Sequence, residues 1–275
     1  ASLAGSIDSN SRSKKLMKMK ITTVYGPVAS WRLGRSLGVD PICAEGKICS
    51  FDCVYCPLGR TTVKTIERRT FVPAEIVEQD LEKVLKRVKA DVITFSGTGE
   101  PTLAKNLGEL IEIDRNISSL PVAVLTNSSL QSRKDVRREL ARADIVKGKL
   151  DASNEGLLRL INRPHEKILL SKIVTGLKKF RREFAGRFEL EVMFVPENKD
   201  LSGAIAEIVK PIEPDQVQIN TPLRPSPVRP LTPEELKEVQ RDFEGMNFMS
   251  VYEAKKPKVK KAVGLKKLRV LKRLE

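Results

Sequence analysis

The sequence predicts an α/β fold, a partial (β/α)6 TIM-like barrel with parallel strands, and three observations lead there. From residue 73 onward, short apolar β-rich runs alternate with amphipathic helical stretches, the pattern of βαβ units and a parallel sheet. The strand-like runs end in polar or Gly-containing segments, "SGTGEP", "LTN", "KLD" and "NT", where such sheets gather their ligands. All four cysteines, Cys43, Cys49, Cys53 and Cys56, fall in the single stretch "ICAEGKICSFDCVYCPLGRTT" at residues 42–62. About six β/α repeats, counting a short strand leading into the cysteine loop, suit a three-quarter or complete barrel. A doubly wound open sheet is the other arrangement that the alternation permits.

Taken in order, the first helix is expected over 73–89, opening with Pro73 and carrying Ile76, Val77, Leu81, Val84, Leu85 and Val88 at helical spacing. A strand follows at 91–97, then a helix at 103–113, a strand at 121–127 and a helix at 132–141. Residues 144–151 read as the next strand and 166–184 as a long amphipathic helix. Further strands are expected at 188–195 and 216–221, separated by a helix near 202–209. The last helix, at 231–243, begins with Thr232, Pro233 and Glu235: an N-cap, a Pro in the first turn and a capping Glu.

Residues 1–16 are small, polar and patternless and read as a leader or disordered extension, leaving 17–250 for the barrel and 251–275 for a basic extension. The net charge of +15 sits mainly at the two ends, +4 in residues 1–20 and +9 in 255–275, so the body between them carries only +2. Basic ends can track phosphates, or can simply be solvated charge. Leu265, Leu268, Leu271 and Leu274 recur every three residues among Lys and Arg, which predicts a basic amphipathic helix. No apolar run approaches the roughly 18 residues of a membrane span, and there is no secretory signal; a cytoplasmic protein without a membrane partner is expected.

The cysteines admit four readings. A disulfide framework disagrees with a reducing compartment, and inert core thiols would be scattered. A zinc site of four cysteines is open through Cys43, although a single CxxC beside two oddly spaced cysteines is unlike the paired knuckles of structural zinc. The fourth reading is an iron–sulfur cluster held by Cys49, Cys53 and Cys56 in a CxxxCxxC array, which leaves one iron open to a ligand.

"CSFDCVYC" followed by "SGTGEP" on the next strand resembles the radical S-adenosylmethionine (radical SAM) superfamily. The resemblance runs from about residue 24 to residue 221, with Tyr55 as the aromatic before the last Cys and Gly97, Thr98, Gly99, Glu100 and Pro101 as the GGE-type strand end. The preceding segment "GPVASWRLGRSLGVD" is similar to a branch that includes the wyosine-base tRNA synthases and uncharacterised iron–sulfur oxidoreductases. Wyosine-type enzymes carry further cysteines for a second cluster, and here only Cys43 is left over.

The resemblance implies a four-iron four-sulfur cluster, [4Fe-4S], on Cys49, Cys53 and Cys56. It also implies S-adenosylmethionine (SAM) on the fourth iron, an external one-electron reductant, and a 5′-deoxyadenosyl radical that abstracts hydrogen from a substrate. Backbone carbonyls of Gly97, Thr98 and Gly99 with the Glu100 side chain would accept from the SAM ammonium, and Asn127 and Asp151 would meet the ribose. Lys149 would meet the carboxylate and Met193 the adenine; Asn220 would face SAM or substrate, and Tyr55 would pack on the cluster loop. Arg32 and Arg35 are candidates for a phosphate or carboxylate, and His165 reads as a loop residue able to touch substrate. Three function classes follow: a radical SAM enzyme acting on tRNA or another anionic substrate, one acting on a protein or small molecule, and a non-catalytic zinc domain.

Overall fold

The computed structural model describes residues 22–255 and 257–259. The leader expected at 1–16, and the leucine-spaced helix expected within 251–275, lie outside those residues.

The segment read as a lead-in to the cysteines is a hairpin, β1 (Val24–Ser30) and β2 (Gly34–Val39), paired antiparallel. Its second arm is the short strand expected ahead of the cysteine loop. Parallel partners then follow: β5 (Val92–Phe95), β6 (Val122–Leu125), β7 (Ile145–Lys149), β8 (Arg187–Met193), β9 (Gln216–Asn220) and β10 (Phe248–Ser250). They complete one eight-stranded sheet in the order β1-β2-β5-β6-β7-β8-β9-β10. The cysteine loop carries its own parallel pair, β3 (Lys47–Cys49) and β4 (Thr61–Lys64).

Strands five and six places apart in that order line one common cavity, β1 through Val28 and Ala29, β8 through Glu191 and β9 through Asn220. A flat sheet cannot do this, so the sheet curls into a partial barrel. β1 and β10 are its two edges and do not pair with each other.

The connections are helical because each crossover must return over the sheet face. α1 (Ala74–Leu85) buries Ala74, Val77 and Leu81; α2 (Leu107–Ile117) buries Leu107, Leu110 and Ile111. α3 (Lys134–Leu140), α5 (Leu170–Glu183) and α6 (Ser202–Val209) follow the expected stretches. α7 (Pro233–Arg241) forms the expected capping box: Glu235 N donates to Thr232 Oγ1 at 3.2 Å and Thr232 N donates to Glu235 Oε2 at 2.9 Å. α4 (Glu155–Ile161) was not expected; Asn154 starts it by accepting from Leu157 N at 2.9 Å.

The main core lies between sheet and helices. Phe180 stacks on Phe184 and meets Phe188 edge-on, at centroid distances of 4.8 and 5.3 Å. A second, small cluster of Leu33, Val92, Ala123 and Ile145 lies apart from it, and Leu125 packs onto it while also lining the cavity. Leu33 belongs to the β1–β2 turn, and the others sit near the starts of their strands. The cluster therefore plugs the amino-terminal end of the barrel and leaves the carboxyl-terminal end for a site. Arg35 does not face that site. It is bound to Asp91 at the start of β5, N to Oδ2 at 2.7 Å and Nε to Oδ1 at 3.0 Å, and ties the hairpin to the sheet.

Candidate active site

The loop from residue 40 to 64 is fastened to the strand end at 96–100 by backbone and carboxylate bonds. Asp40, directly after β2, accepts from Ile42 N and Cys43 N through Oδ1 and from Thr98 N through Oδ2, each at 3.0 Å. Ile48 N donates to Thr98 O at 3.0 Å, and Glu100 N to Ile48 O at 3.2 Å, so the cysteine strand docks along the "GTGE" turn. That docking requires glycine. A Cβ on Gly99 would stand 1.6 Å from Ile48 O, and Gly97, at φ +150°, backs directly onto the Asp40 carboxylate.

Cys49, Cys53 and Cys56 all line a cavity of about 400 Å³ at the carboxyl ends of the strands, together with Gly97 and Gly99. Nitrogen donors approach two of the sulfurs: Phe51 N at 3.5 Å and Asn127 Nδ2 at 3.6 Å on Cys49, and Asn162 Nδ2 at 3.5 Å on Cys53. Burial pushes the Cys49 thiol up to about 12, Glu100 adding to the effect and Lys47 opposing it. Burial also raises Cys53, with Asp151 adding to it. Lys47 is the cation among the thiols: its burial lowers its proton affinity, and the negative charge of Cys56, Cys49 and Cys53 more than reverses that.

Cys43 does not line the cavity; its Sγ lies 3.9 Å from Thr22 O. A four-cysteine zinc site is therefore not assembled. Among the described residues no three Cys, His, Asp or Glu side chains converge as a single ion requires. Four thiolates at about 2.3 Å from one zinc would stand close together; a four-iron cube holds its cysteines at separate corners. Three soft donors on one cavity wall, a buried cation between them and a glycine turn alongside fit the cluster and not the zinc.

Residues 46–201 match the family model described as the radical SAM superfamily, more than half of the chain. The chain belongs to the radical SAM superfamily. It is accordingly an enzyme. It is 42% identical over 214 residues to UPF0026 protein slr1464 of Synechocystis sp., which covers 78% of this chain and 80% of that one. Its fold is similar to a radical SAM methyltransferase from Sphaerobacter thermophilus, at TM-score 0.60 and 14% identity, with 89% and 82% of the two chains covered. It is also similar to anSMEcpe with bound AdoMet, at TM-score 0.58 and 17% identity, over 79% of this chain and 64% of that one. At such identities the likeness is one of fold.

Within this radical SAM site, several residues lie where the sequence pattern put them and others serve the scaffold. Asn127, Lys149, Met193, Asn220 and Tyr55 line the cavity. Glu100 also lines it, but its carboxylate is largely occupied by the protein. It accepts from Thr126 Oγ1 at 2.6 Å, Thr102 Oγ1 at 2.7 Å, Asn127 N at 2.7 Å and Thr102 N at 3.1 Å. Three of these donors fall on Oε1 and only Asn127 N on Oε2, so the carboxylate chiefly shapes the turn, with one acceptor direction of Oε2 left over. Thr98 does not line the cavity either; its Oγ1 accepts from Ala44 N at 3.0 Å.

Asp151 is likewise outside the cavity wall. Tyr55 OH donates to its Oδ2, Asn162 Nδ2 donates to the same oxygen at 2.7 Å, and Met193 N donates to Oδ1 at 2.8 Å. It is a buried anchor for the cluster loop, not a ribose ligand. Asn127 shares that work, donating to Ser50 Oγ at 2.8 Å. Lys149 is held by Glu191 at 2.9 Å and lies 4.9 Å above the Tyr55 ring. His165 is outside the cavity, its N donating to Ser50 O at 2.8 Å.

Sequence reasoning missed Asp40, Lys47, Asn162, Glu191 and Arg224. Glu191 and Lys47 left a signal: Glu191 shares the inward face of β8 with Met193 at a spacing of two, and Lys47 stands two residues before Cys49. Asn162 left none, since its reach to Cys53 depends on α4.

Proposed function

We propose that the protein is a radical SAM enzyme whose Cys49, Cys53 and Cys56 thiolates hold a four-iron cluster, with SAM bound in the cavity beside it. The observation that supports this most directly is the joint placement of those three thiols and the "GTGE" turn on one cavity wall, with Cys43 elsewhere. When bound, cluster and SAM supply a one-electron cleavage to methionine and a 5′-deoxyadenosyl radical that takes hydrogen from a substrate.

The chain's own residues prepare that chemistry. Lys47 balances the charge of three thiolates, which must lose their protons for iron to bind. Asn127 and Asn162 donate to Cys49 and Cys53, and donors to a cluster sulfur are one of the levers that set its potential. The backbone of Gly97 and Gly99 lines the cavity where an amino group would be received, and Lys149 is the cation for a carboxylate. Met193 offers an apolar wall for an adenine, and Asn220 a polar group at the end of β9. The closed amino-terminal end, plugged by Leu33, Val92, Ala123 and Ile145, keeps water from entering beneath the site.

The substrate proposed is anionic, a tRNA being one example; Arg32, Lys149 and Arg224 on the cavity wall support an anion. The test is anaerobic reconstitution. About four irons per chain, a brown visible absorbance, and deoxyadenosine formed from SAM and reductant are expected. Each should be lost in Cys49→Ala, Cys53→Ala and Cys56→Ala and retained in Cys43→Ala. A colourless protein with one zinc would refute the proposal.

A further inference from the structure

One part of the cavity holds more positive charge than its carboxylates answer. Arg32, in the β1–β2 turn, reaches into the barrel and forms an ion pair with Glu191. The same carboxylate takes Lys149 Nζ at 2.9 Å. Arg224, in the loop after β9, lines this part of the cavity too, and forms no ion pair among the described residues. Two cations therefore share one carboxylate, and a third lines the same cavity without one. Arg32 Nε, moreover, is buried with no acceptor, although buried guanidinium nitrogens are ordinarily bonded. Arg32 and Arg224 are near enough to oppose each other's charge.

We propose that this region is a subsite for an oxyanion of the substrate, a phosphate or carboxylate held between the guanidinium groups of Arg32 and Arg224. The inference rests on the reading of the cavity as the active site and adds to it the group by which substrate is recognised. A guanidinium fork matches either oxyanion in a bidentate fashion. The anion would supply the acceptor that Arg32 Nε lacks and relieve the repulsion between the two arginines. Glu191 competes for Arg32 until the anion arrives. Trp31, whose ring lies 5.5 Å from the Arg32 guanidinium carbon, keeps that group in place from the side. Arg224 is exposed on a loop containing Pro222, Pro225 and Pro227, which sets it at the rim where an incoming anion meets it first.

The experiment uses the reconstituted protein with SAM present and titrates inorganic phosphate, and separately malonate, at constant ionic strength set with chloride. Saturable binding of at least one of them is expected, weakened about tenfold or more in Arg32→Gln and in Arg224→Gln. In Glu191→Gln, where the competing carboxylate is gone, binding should tighten. Arg224 is on the surface, so its variant tests the proposal even if Arg32→Gln folds poorly. Iron content and visible absorbance, read on the same samples, report the cluster separately, so a failure of the cofactor reading is seen without reference to the anion. The proposal is overturned if neither probe binds, or if binding is equal in all variants, an adventitious ion only. It is also overturned if SAM and the probe exclude each other, which would assign the arginines to SAM itself.

Discussion

Gly99 shows how narrowly the cysteine loop is fitted to its strand. Because an added methyl would overlap Ile48 O at 1.6 Å, Gly99→Ala must push the two backbones apart. The expected cost is about 1–3 kcal/mol, seen as a lower thermal midpoint together with reduced iron uptake. Asn162 belongs to the same scale. Its Nδ2 serves Cys53, Asp151 and Tyr55 together, so Asn162→Ala leaves a buried carboxylate short of a donor. A loss of about 1–3 kcal/mol is expected, with a shifted cluster potential as the readout that simple destabilisation would not produce. The cysteines and the glycine turn were legible in the sequence because their chemistry is fixed by spacing. Asp151 and Glu100 were not, because a carboxylate at a strand end reads alike whether it faces a ligand or, as both do here, three or four donors of its own protein.

Helices and strands were legible wherever periodicity was long. The expected 202–209 helix coincides with α6, and 73–89 contains α1. α4, a seven-residue helix begun by Asn154, escaped, as did β1, since one short strand alone was expected ahead of the cysteine loop. The cap of α7 supports a direct test: Thr232→Ala removes the acceptor for Glu235 N and should cost about 1 kcal/mol in a denaturant melt. α2 carries a buried acid, Asp114, with neither oxygen hydrogen-bonded; burial raises it from 3.8 to about 8. The folded state thus keeps it protonated while the unfolded chain ionises. Stability is complete below about pH 4 and falls as pH rises toward 8, by at most about 1.4 kcal/mol per pH unit. Asp114→Asn should leave the thermal midpoint nearly unchanged at pH 4 and raise it at pH 8; equal midpoints at both values would contradict the assignment.

At the scale of the whole molecule, charge is divided between a nearly neutral body and basic ends, +9 of it in residues 255–275. Among the described residues, those that line the cavity lie between 28 and 251. Removing 260–275 should therefore leave iron content and deoxyadenosine formation unchanged. Were the substrate a nucleic acid, the same truncation would weaken its binding and flatten the dependence of log K on log salt. No helix among the described residues is long and apolar enough to cross a membrane.

The unjoined margins of the sheet have a mechanical meaning. A hoop of strands hydrogen-bonded all the way round can change its girth only by rupturing ladder bonds. Here β1 and β10 end the series without meeting, and a seam of that kind can part while every rung stays intact. The hairpin that carries Trp31 and Arg32 is one lip of that seam, so a group that would greet a substrate sits on a margin free to shift for it.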